Sequence, residues 1–572
     1  MIASRLLAFV KTKAFHILLL LVGLAFLLTG AFHGNVWFDE SYSVAIANHS
    51  FADIWDIGSG DVHPVLFYWA LHVLNLVFGR NVLVYRLFTV AGTFSLALLG
   101  LVMVRHDFGW KTGLLFSLFA LFTPYLTYMA VEIRMYSWAS FTVMLCALYA
   151  WRVACTLARN AAEGAREKGT KSPDGSAQAW WASAAYQDDA GKRCWANVPC
   201  AWWLALFCSS LASAYLHYYG VLAAFLINAF LLAFILVRAR KALPVLASGA
   251  AVQVLLYVPW LAVLASQVGV VSGSYWADVV FPRTLVEWAF YPIATSYVIF
   301  ADTYGQGYVV ALGVCAGIAI ASAVYGAFCF FRRGKNVPFE AKSSKAKAHS
   351  FLVKTVLSPA ALPALWGVAL YLGVFLVALA ASVAMDSLIV YYRYLSVTIG
   401  PLLLAASIVV AHLRSRVCVG GLLTAFLGAS LVNQLLFIHD AYSEKNQEPL
   451  TCFEESVAEN GEPLVLSSDI GIEGVTAVSC TAISQTFLAW QPGDWAHAYQ
   501  SYAPTLSTVQ SWDAALDSHQ GSFIVLGQAS REALPKDVTD LASRSDVQLE
   551  SAQTFYRPYE RTWFTIAVME KE

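Results

Sequence analysis

Apolar runs close to twenty residues long alternate with short polar stretches along most of this 572-residue chain. They fall at roughly 14–32, 64–79, 83–104, 113–130, 136–155, 201–216, 219–237, 244–266, 307–331, 361–384, 394–412 and 418–438. An α-helix of about 20 apolar residues spans a hydrocarbon core of about 30 Å. The pattern therefore predicts a polytopic α-helical membrane protein of about eleven to thirteen crossings. Beyond residue 439 the pattern changes. The segments 463–469, 521–527 and 564–569 read as short strands, with helical stretches between them. That alternation predicts a small extramembrane α/β domain over 439–572, following a membrane module over 1–438.

The polar stretches set an expected orientation. Lys and Arg gather at the N-terminus and in 105–111, 152–171, 238–241, 332–354 and 414–416, which the positive-inside rule assigns to the cytoplasm. The stretches 33–63, 132–136, 217–219, 267–306 and 391–394 and the tail after 439 are then external. With 33–63 outside and Arg105 inside, two full spans cannot both lie between them. The segment 64–79 is the shorter, about 24 Å as a helix, and holds His72 and Asn75. It is expected to be re-entrant or interfacial. The alternative is twelve crossings with 105–111 outside. The first run reads as an uncleaved span, since Thr29-Gly30-Ala31 is a weak cleavage site. The polar stretches 156–200 and 332–360 are expected to be a cytoplasmic insertion and a cytoplasmic loop.

Composition adds little to this picture except in its aromatics. The chain is 59% hydrophobic and 13% charged, about half the charged share of soluble domains. Its 19 Trp, 27 Tyr and 35 Phe suit interfacial belts and sugar-binding clefts. No basic face or nucleic-acid motif appears, so nucleic acid is not an expected partner. The ten cysteines show no metal spacing. Cys146, Cys155, Cys208, Cys315, Cys329 and Cys418 lie in or beside apolar runs, and Cys194 and Cys200 are too far apart for a CxxC pair. Cys452 and Cys480 in the tail are a candidate disulfide if the tail faces an oxidising space.

Candidate chemistry starts at Trp37-Phe38-Asp39-Glu40, where the first span ends, with Asp61-Val62-His63-Pro64 following in the same loop. Structurally, Asp39 and Glu40 would charge the start of an interfacial helix. The accumulation of acid and imidazole on one side of the membrane points instead to catalysis. Arg86, Arg134 and Arg393 fall near the external face beside Tyr85, Tyr136 and Tyr394. Each alone would simply snorkel to the headgroups. Together they suit a phosphate held at that face, because guanidinium groups pair bidentately with phosphate oxygens. His217-Tyr218-Tyr219 marks another external lip. His63, His217 and the carboxylates have the donor chemistry for a divalent cation, but no HExxH-type spacing orders them, and no metal ligand is assigned.

The ordered set of motifs resembles the protein O-mannosyltransferases and the wider group that includes the lipid A aminoarabinose transferases. It comprises Phe38-Asp39-Glu40, Asp61-Val62-His63-Pro64-Val65-Leu66, Phe78-Gly79 and Tyr85-Arg86-Leu87-Phe88. Val65 stands where the mannosyltransferases have a second proline. Glu132-Ile133-Arg134-Met135-Tyr136 and Arg393-Tyr394 with Pro401 are similar to motifs of the bacterial branch. The resemblance implies the C-type (GT-C) glycosyltransferase fold, a polyprenyl-phosphate sugar donor and inversion at the anomeric carbon. It puts Asp39 at the catalytic acid position and Arg86 at a required arginine.

A mechanism follows physically. An external transferase needs its sugar on a lipid, and the leaving lipid phosphate needs charge stabilisation more than a proton. The acceptor hydroxyl needs a base, which Asp39 supplies at about 10²–10⁴-fold, with Asp61 and Glu40 orienting the acceptor or a metal. Arg86, Arg134 and Arg393 are the expected phosphate binders. Trp37, His63, Tyr136, His217 and Tyr394 are the expected substrate-binding residues. The acceptor, whether protein, lipid glycan or wall polymer, stays open. So do two rival classes: a lipid-linked glycan transporter, and a polysaccharide polymerase or ligase centred on the loop 267–306.

Overall fold

The expected apolar runs all become helices. The structure, a computed structural model, describes residues 8–60, 63–167, 195–274, 291–292, 301–334, 361–385, 389–461, 463–467, 469–480, 487–489, 495–509, 511–517 and 519–572. Among these, eight helices are long and apolar enough to cross a membrane, from Val82–Phe108 to Arg416–Ala441. A ninth arises if the bent pair Trp110–Phe122 and Pro124–Val131 is one span, and Lys13–Leu28, Leu66–Phe78 and Cys200–Leu216 are shorter. The 59° bend of the pair falls at Pro124. Proline removes an N–H and drives its predecessor out of helical geometry, and Thr123 is accordingly extended at φ −64°, ψ 120°. Leu66–Phe78 has 13 residues, about 20 Å of helix, well below the roughly 30 Å of a full crossing.

The chain falls into two compact units. One comprises Met1–Leu27, Val90–Ala130 and Met135–Asn433; the other comprises Leu28–Thr89, Val131–Arg134 and Gln434–Glu572.

The first unit is helical. Leu255, Phe225 and Val237 are 70%, 67% and 75% exposed, an arrangement stable against lipid tails and costly against water. Asp107 and Arg152 pair bidentately at 2.8 and 3.0 Å. They join two stretches that the charge pattern assigned to the same side. Helix Val82–Phe108 loosens into a π turn at Gly100–Val104. A side chain at Gly100 would press on the carbonyl of Gly113, so only glycine admits this approach of the two helices.

The second unit contains a six-stranded sheet. Its strands are β1 (Leu464–Ser467), β2 (Phe487–Ala489), β3 (Ser507–Thr508), β4 (Gly521–Ala529), β5 (Val547–Arg557) and β6 (Thr562–Lys571), in the order β3-β2-β1-β4-β6-β5. β1 to β4 are mutually parallel through crossovers, and β6 runs antiparallel to both β4 and β5. Helical crossovers require both faces to be covered, which explains the apolar runs of β1 and β4. Leu466, Phe523, Val525, Val538, Leu541 and Met569 build one core. β1, β4 and β6 are the three strands expected from sequence; β2 and β3 are too short to leave a pattern. Cys452 and Cys480 are both free thiols, which corrects the expected disulfide. Each answers to its own surroundings: Cys452 bonds Ser456 one turn on, and Cys480 lies buried at the end of helix Ile470–Ser479.

Candidate active site

Helix Phe38–Ile46 carries the first two acids in its opening turn, where the helix dipole favours negative charge. Glu40 closes the helix start by accepting the Trp37 backbone N–H at 3.4 Å. Its carboxylate then takes four more contacts: Arg86 Nη1 at 2.6 Å and Nη2 at 3.0 Å, the Ile133 backbone N–H at 3.0 Å, and the Tyr559 hydroxyl at 3.0 Å. Neither Glu40 nor Arg86 is exposed. Arg86 also donates to the carbonyls of Val131, at 2.7 Å, and Asn35. A buried ion pair is stabilised as its remaining hydrogen-bonding capacity is filled; here both Glu40 oxygens and both Arg86 Nη atoms are bonded, and Arg86 Nε has no partner among the described residues.

Asp39, the neighbouring acid, faces elsewhere. It is 19% exposed, and Arg134 Nε stands 4.0 Å from Oδ2. Arg134 Nη1 is held at 3.3 Å by the Asp39 carbonyl, at 3.3 Å by Ser43 Oγ and at 3.5 Å by the Tyr68 hydroxyl. Adjacent acids on one helix thus separate into a sealed one and an accessible one.

The tail supplies contacts that sequence reasoning missed. The β5–β6 turn at 558–561 carries Tyr559 onto Glu40 and Arg86. That turn is pinned by Tyr559 N–H to Asn446 Oδ1 at 2.9 Å, by Arg561 to Asp440 at 2.9 Å, and by the Arg557–Glu560 pair. Helix Phe38–Ile46 and the residues after it are clamped to the segment 498–501. Ser41 bonds the Tyr499 hydroxyl at 3.0 Å, Asn48 the Ser501 carbonyl at 3.0 Å and His49 the Ala498 carbonyl at 2.9 Å, while Ser501 Oγ donates to the Ala45 carbonyl at 2.9 Å. Glu473, in Ile470–Ser479, is buried; burial and the nearby Asp469 push its carboxyl up to about 8. The available signal was a glutamate flanked by Gly471 and Gly474 inside an otherwise apolar helix.

The remaining expected residues distribute as follows. Asp61 lies outside the described residues, as does most of the loop 267–306. His63 is buried, and half-buried Trp37 is the residue just before helix Phe38–Ile46. Tyr136, His217 and Tyr394 meet in the first unit, with ring centroids 5.5 Å apart for Tyr136–His217 and 5.1 Å for His217–Tyr394. Tyr219 and Tyr391 join them, and the Arg393 guanidinium lies 5.0 Å from the Tyr391 ring centroid. His217 Nδ1 accepts the Tyr219 backbone N–H at 3.1 Å, capping helix Tyr218–Arg238. Among the described residues no group of three or more His, Cys, Asp or Glu could hold a metal ion.

No family model and no curated protein sequence matches the chain. Solved structures of ArnT from Cupriavidus metallidurans do. The form bound to undecaprenyl phosphate aligns with a TM-score of 0.50 at 12% identity, covering 97% of this chain and 98% of that one. The apo form aligns at 0.48 with 14% identity over the same shares. The chain therefore has the polytopic helical membrane fold of ArnT, an aminoarabinose transferase of the C-type (GT-C) group, with a sheet-containing domain at its C-terminal end.

Proposed function

We propose that this chain is an integral-membrane glycosyltransferase. It moves a sugar from a polyprenyl-phosphate-linked donor to an acceptor hydroxyl at the external face, with inversion and with Asp39 as general base. The observation that carries the reading is the pairing of Asp39 with Arg134 beside the sealed Glu40–Arg86 pair. An accessible carboxylate on a rigidly fixed helix can take a proton from an attacking hydroxyl. The guanidinium beside it is placed to meet the negative charge of a lipid phosphate. The neighbour of the same fold was crystallised with undecaprenyl phosphate, which supports a polyprenyl-phosphate carrier here.

In this reading Arg86 and Glu40 are positioning residues: they form a buried ion pair whose bonds to Val131 and Asn35 fix the first loop. Arg134 and Arg393 take the phosphate, and Tyr136, His217 and Tyr394 offer aromatic faces to the sugar or the start of the lipid. Trp37, Asp61 and His63 complete the acceptor side from the same loop. The N-terminus is cytoplasmic, and the catalytic loop 33–63 of the membrane module (1–438) and the domain over 439–572 lie on the external side of the membrane. The acceptor is a protein, lipid or cell-wall glycan hydroxyl.

Purified protein in lipid, given a labelled polyprenyl-phosphate sugar, should release polyprenyl phosphate, and Asp39→Asn should not. Release by Asp39→Asn at the wild-type rate would overturn the assignment of the base. Absence of release by wild type with every donor sugar tried would overturn the transferase.

A further inference from the structure

Strand β5 ends the sheet. It pairs with β6 on one side, and among the described residues no strand pairs with its other side. At 11 residues it is also the longest of the six strands. One extra residue, Glu550, breaks its register between Leu549 and Ser551, a bulge of the kind that blunts an exposed edge. From Ser551 to Arg557 the register runs unbroken. Alternate N–H and C=O groups along 551–555 therefore face outward, and among the described residues no backbone group outside the sheet bonds them. A long edge left in register is a template for another strand.

A groove of about 410 Å³ lies beside that edge. Helix Glu448–Glu459 and the turn Glu444–Asn446 before it form one wall, and Gln553 and Phe555 of β5 form the other. Their two-residue spacing puts Gln553 and Phe555 on one face of the strand, across from Ile566 and Phe564 of β6. On the helix wall Glu448 and Glu455 are seven residues, or two turns, apart and share a face. With Glu444 they bring three exposed carboxylates to the groove. Among the described residues no ion pair neutralises any of the three, and no Lys or Arg lines the groove. The groove is acidic, with one half-buried ring, Phe555, in the wall that β5 supplies.

We propose that this groove and the outer edge of β5 bind an extended, basic polypeptide segment, which adds to the six-stranded sheet as a further strand. Main-chain bonds to the edge supply affinity, and alternate side chains fall into the groove and supply selection. There Lys or Arg meets Glu444, Glu448 and Glu455, and an apolar side chain meets the Phe555 ring. The intervening side chains lie on the opposite face of the sheet, level with Thr554. A small polycation would meet the carboxylates and leave the row of backbone groups unused. An extended polypeptide meets both. Binding at this groove is independent of the transferase reading.

The test uses full-length protein in detergent and a labelled decapeptide of alternating Lys and Thr. An alternating Glu-Thr decapeptide reverses the charge, and an alternating Lys-Pro decapeptide keeps the charge but lacks half the backbone donors. The Lys-Thr peptide should bind in fluorescence anisotropy and should slow amide hydrogen exchange in 551–555. The Glu-Thr peptide should not bind. The Lys-Pro peptide should bind at least about tenfold more weakly and leave exchange in 551–555 unchanged. Glu448→Lys combined with Glu455→Lys, both on the exposed side of their helix, should weaken Lys-Thr binding about tenfold or more. Equal affinity for the Lys-Thr and Lys-Pro peptides would mean simple attraction of cations and overturns the inference. So does absence of Lys-Thr binding, or wild-type affinity in the double variant. Should the double variant fail to fold, hydrogen exchange of 551–555 in the wild-type protein decides alone.

Discussion

Glu40 Oε1 and Arg86 Nη1 meet at 2.6 Å with neither side chain exposed, and the pair fastens the first loop, the segment Val131–Arg134 and the β5–β6 turn to one point. Removing one partner of a buried ion pair strands the other charge at about 3–5 kcal/mol, whereas replacing both with apolar groups is often neutral. Glu40→Leu and Arg86→Met should each lower the melting temperature of the purified protein strongly. The double variant should melt above either single one. Additive losses in thermal unfolding would show that the two side chains do not depend on each other.

Asp39 sits one residue away and should behave in the opposite manner. It is partly open to solvent and takes no part in the Glu40–Arg86 pair. Asp39→Asn should therefore leave the melting temperature within a degree or two and lower kcat for sugar transfer by about 10²–10⁴-fold. A large loss of stability with little loss of rate would reverse the roles given to the two acids.

Arg134 is placed to act on both Asp39 and a phosphate, and kinetics separate these. Arg134→Lys keeps the charge and loses the fork that holds the Asp39 carbonyl, Ser43 and Tyr68. The expected result is a fall in kcat of about 10²-fold or more with a smaller rise in donor KM. A change confined to donor KM would make Arg134 a pure phosphate binder.

The helical architecture was legible because lipid imposes a length: every apolar run returned as a helix, and β1, β4 and β6 followed from their buried Val, Ile and Leu. Asp39, Glu40 and Arg134 were legible as charges at membrane lips. The division of labour between Asp39 and Glu40 was not, because it depends on which acid points at Arg86, and adjacent helical residues carry no sign of direction in their order. Tyr559 and Tyr499 were out of reach for another reason. They arrive from more than 450 residues away in sequence, on turns and a short helix whose local patterns say only that they are turns and a helix. Arg86 was singled out by a motif, and its burial against Glu40 is what only the fold shows.

The seam between helix Ile470–Ser479 and helix Phe38–Ile46 can be opened by one methyl group. A Cβ at Gly474 would stand 2.9 Å from Ser41 Oγ and would also press on the Tyr499 hydroxyl. Gly474→Ala should push the clamp away from the Asp39 helix, with a fall in transfer rate and a modest drop in melting temperature, roughly 1–3 kcal/mol of overpacking. Gly474→Ala combined with Tyr499→Phe, which removes the hydroxyl, should recover part of the loss. No recovery would mean that the seam is looser than the contacts indicate.

Glu473 gives stability a direction in pH. Its carboxyl goes from an ordinary value of 4.5 to about 8 in the folded chain, through burial and then through Asp469. The folded state thus holds a proton that the unfolded state releases, so between those values unfolding lets a proton go and stability falls as pH rises. Below 4.5 the group has no effect, and above about 8 its penalty is complete, on the order of a few kcal/mol. Glu473→Gln carries no such proton. Its melting temperature should match wild type near pH 5 and exceed it by several degrees near pH 8.5, at roughly 2–4 °C per kcal/mol. Scanning fluorimetry across that range checks it. Parallel curves for the two proteins would show that Glu473 ionises at its ordinary value and is not held neutral by the fold.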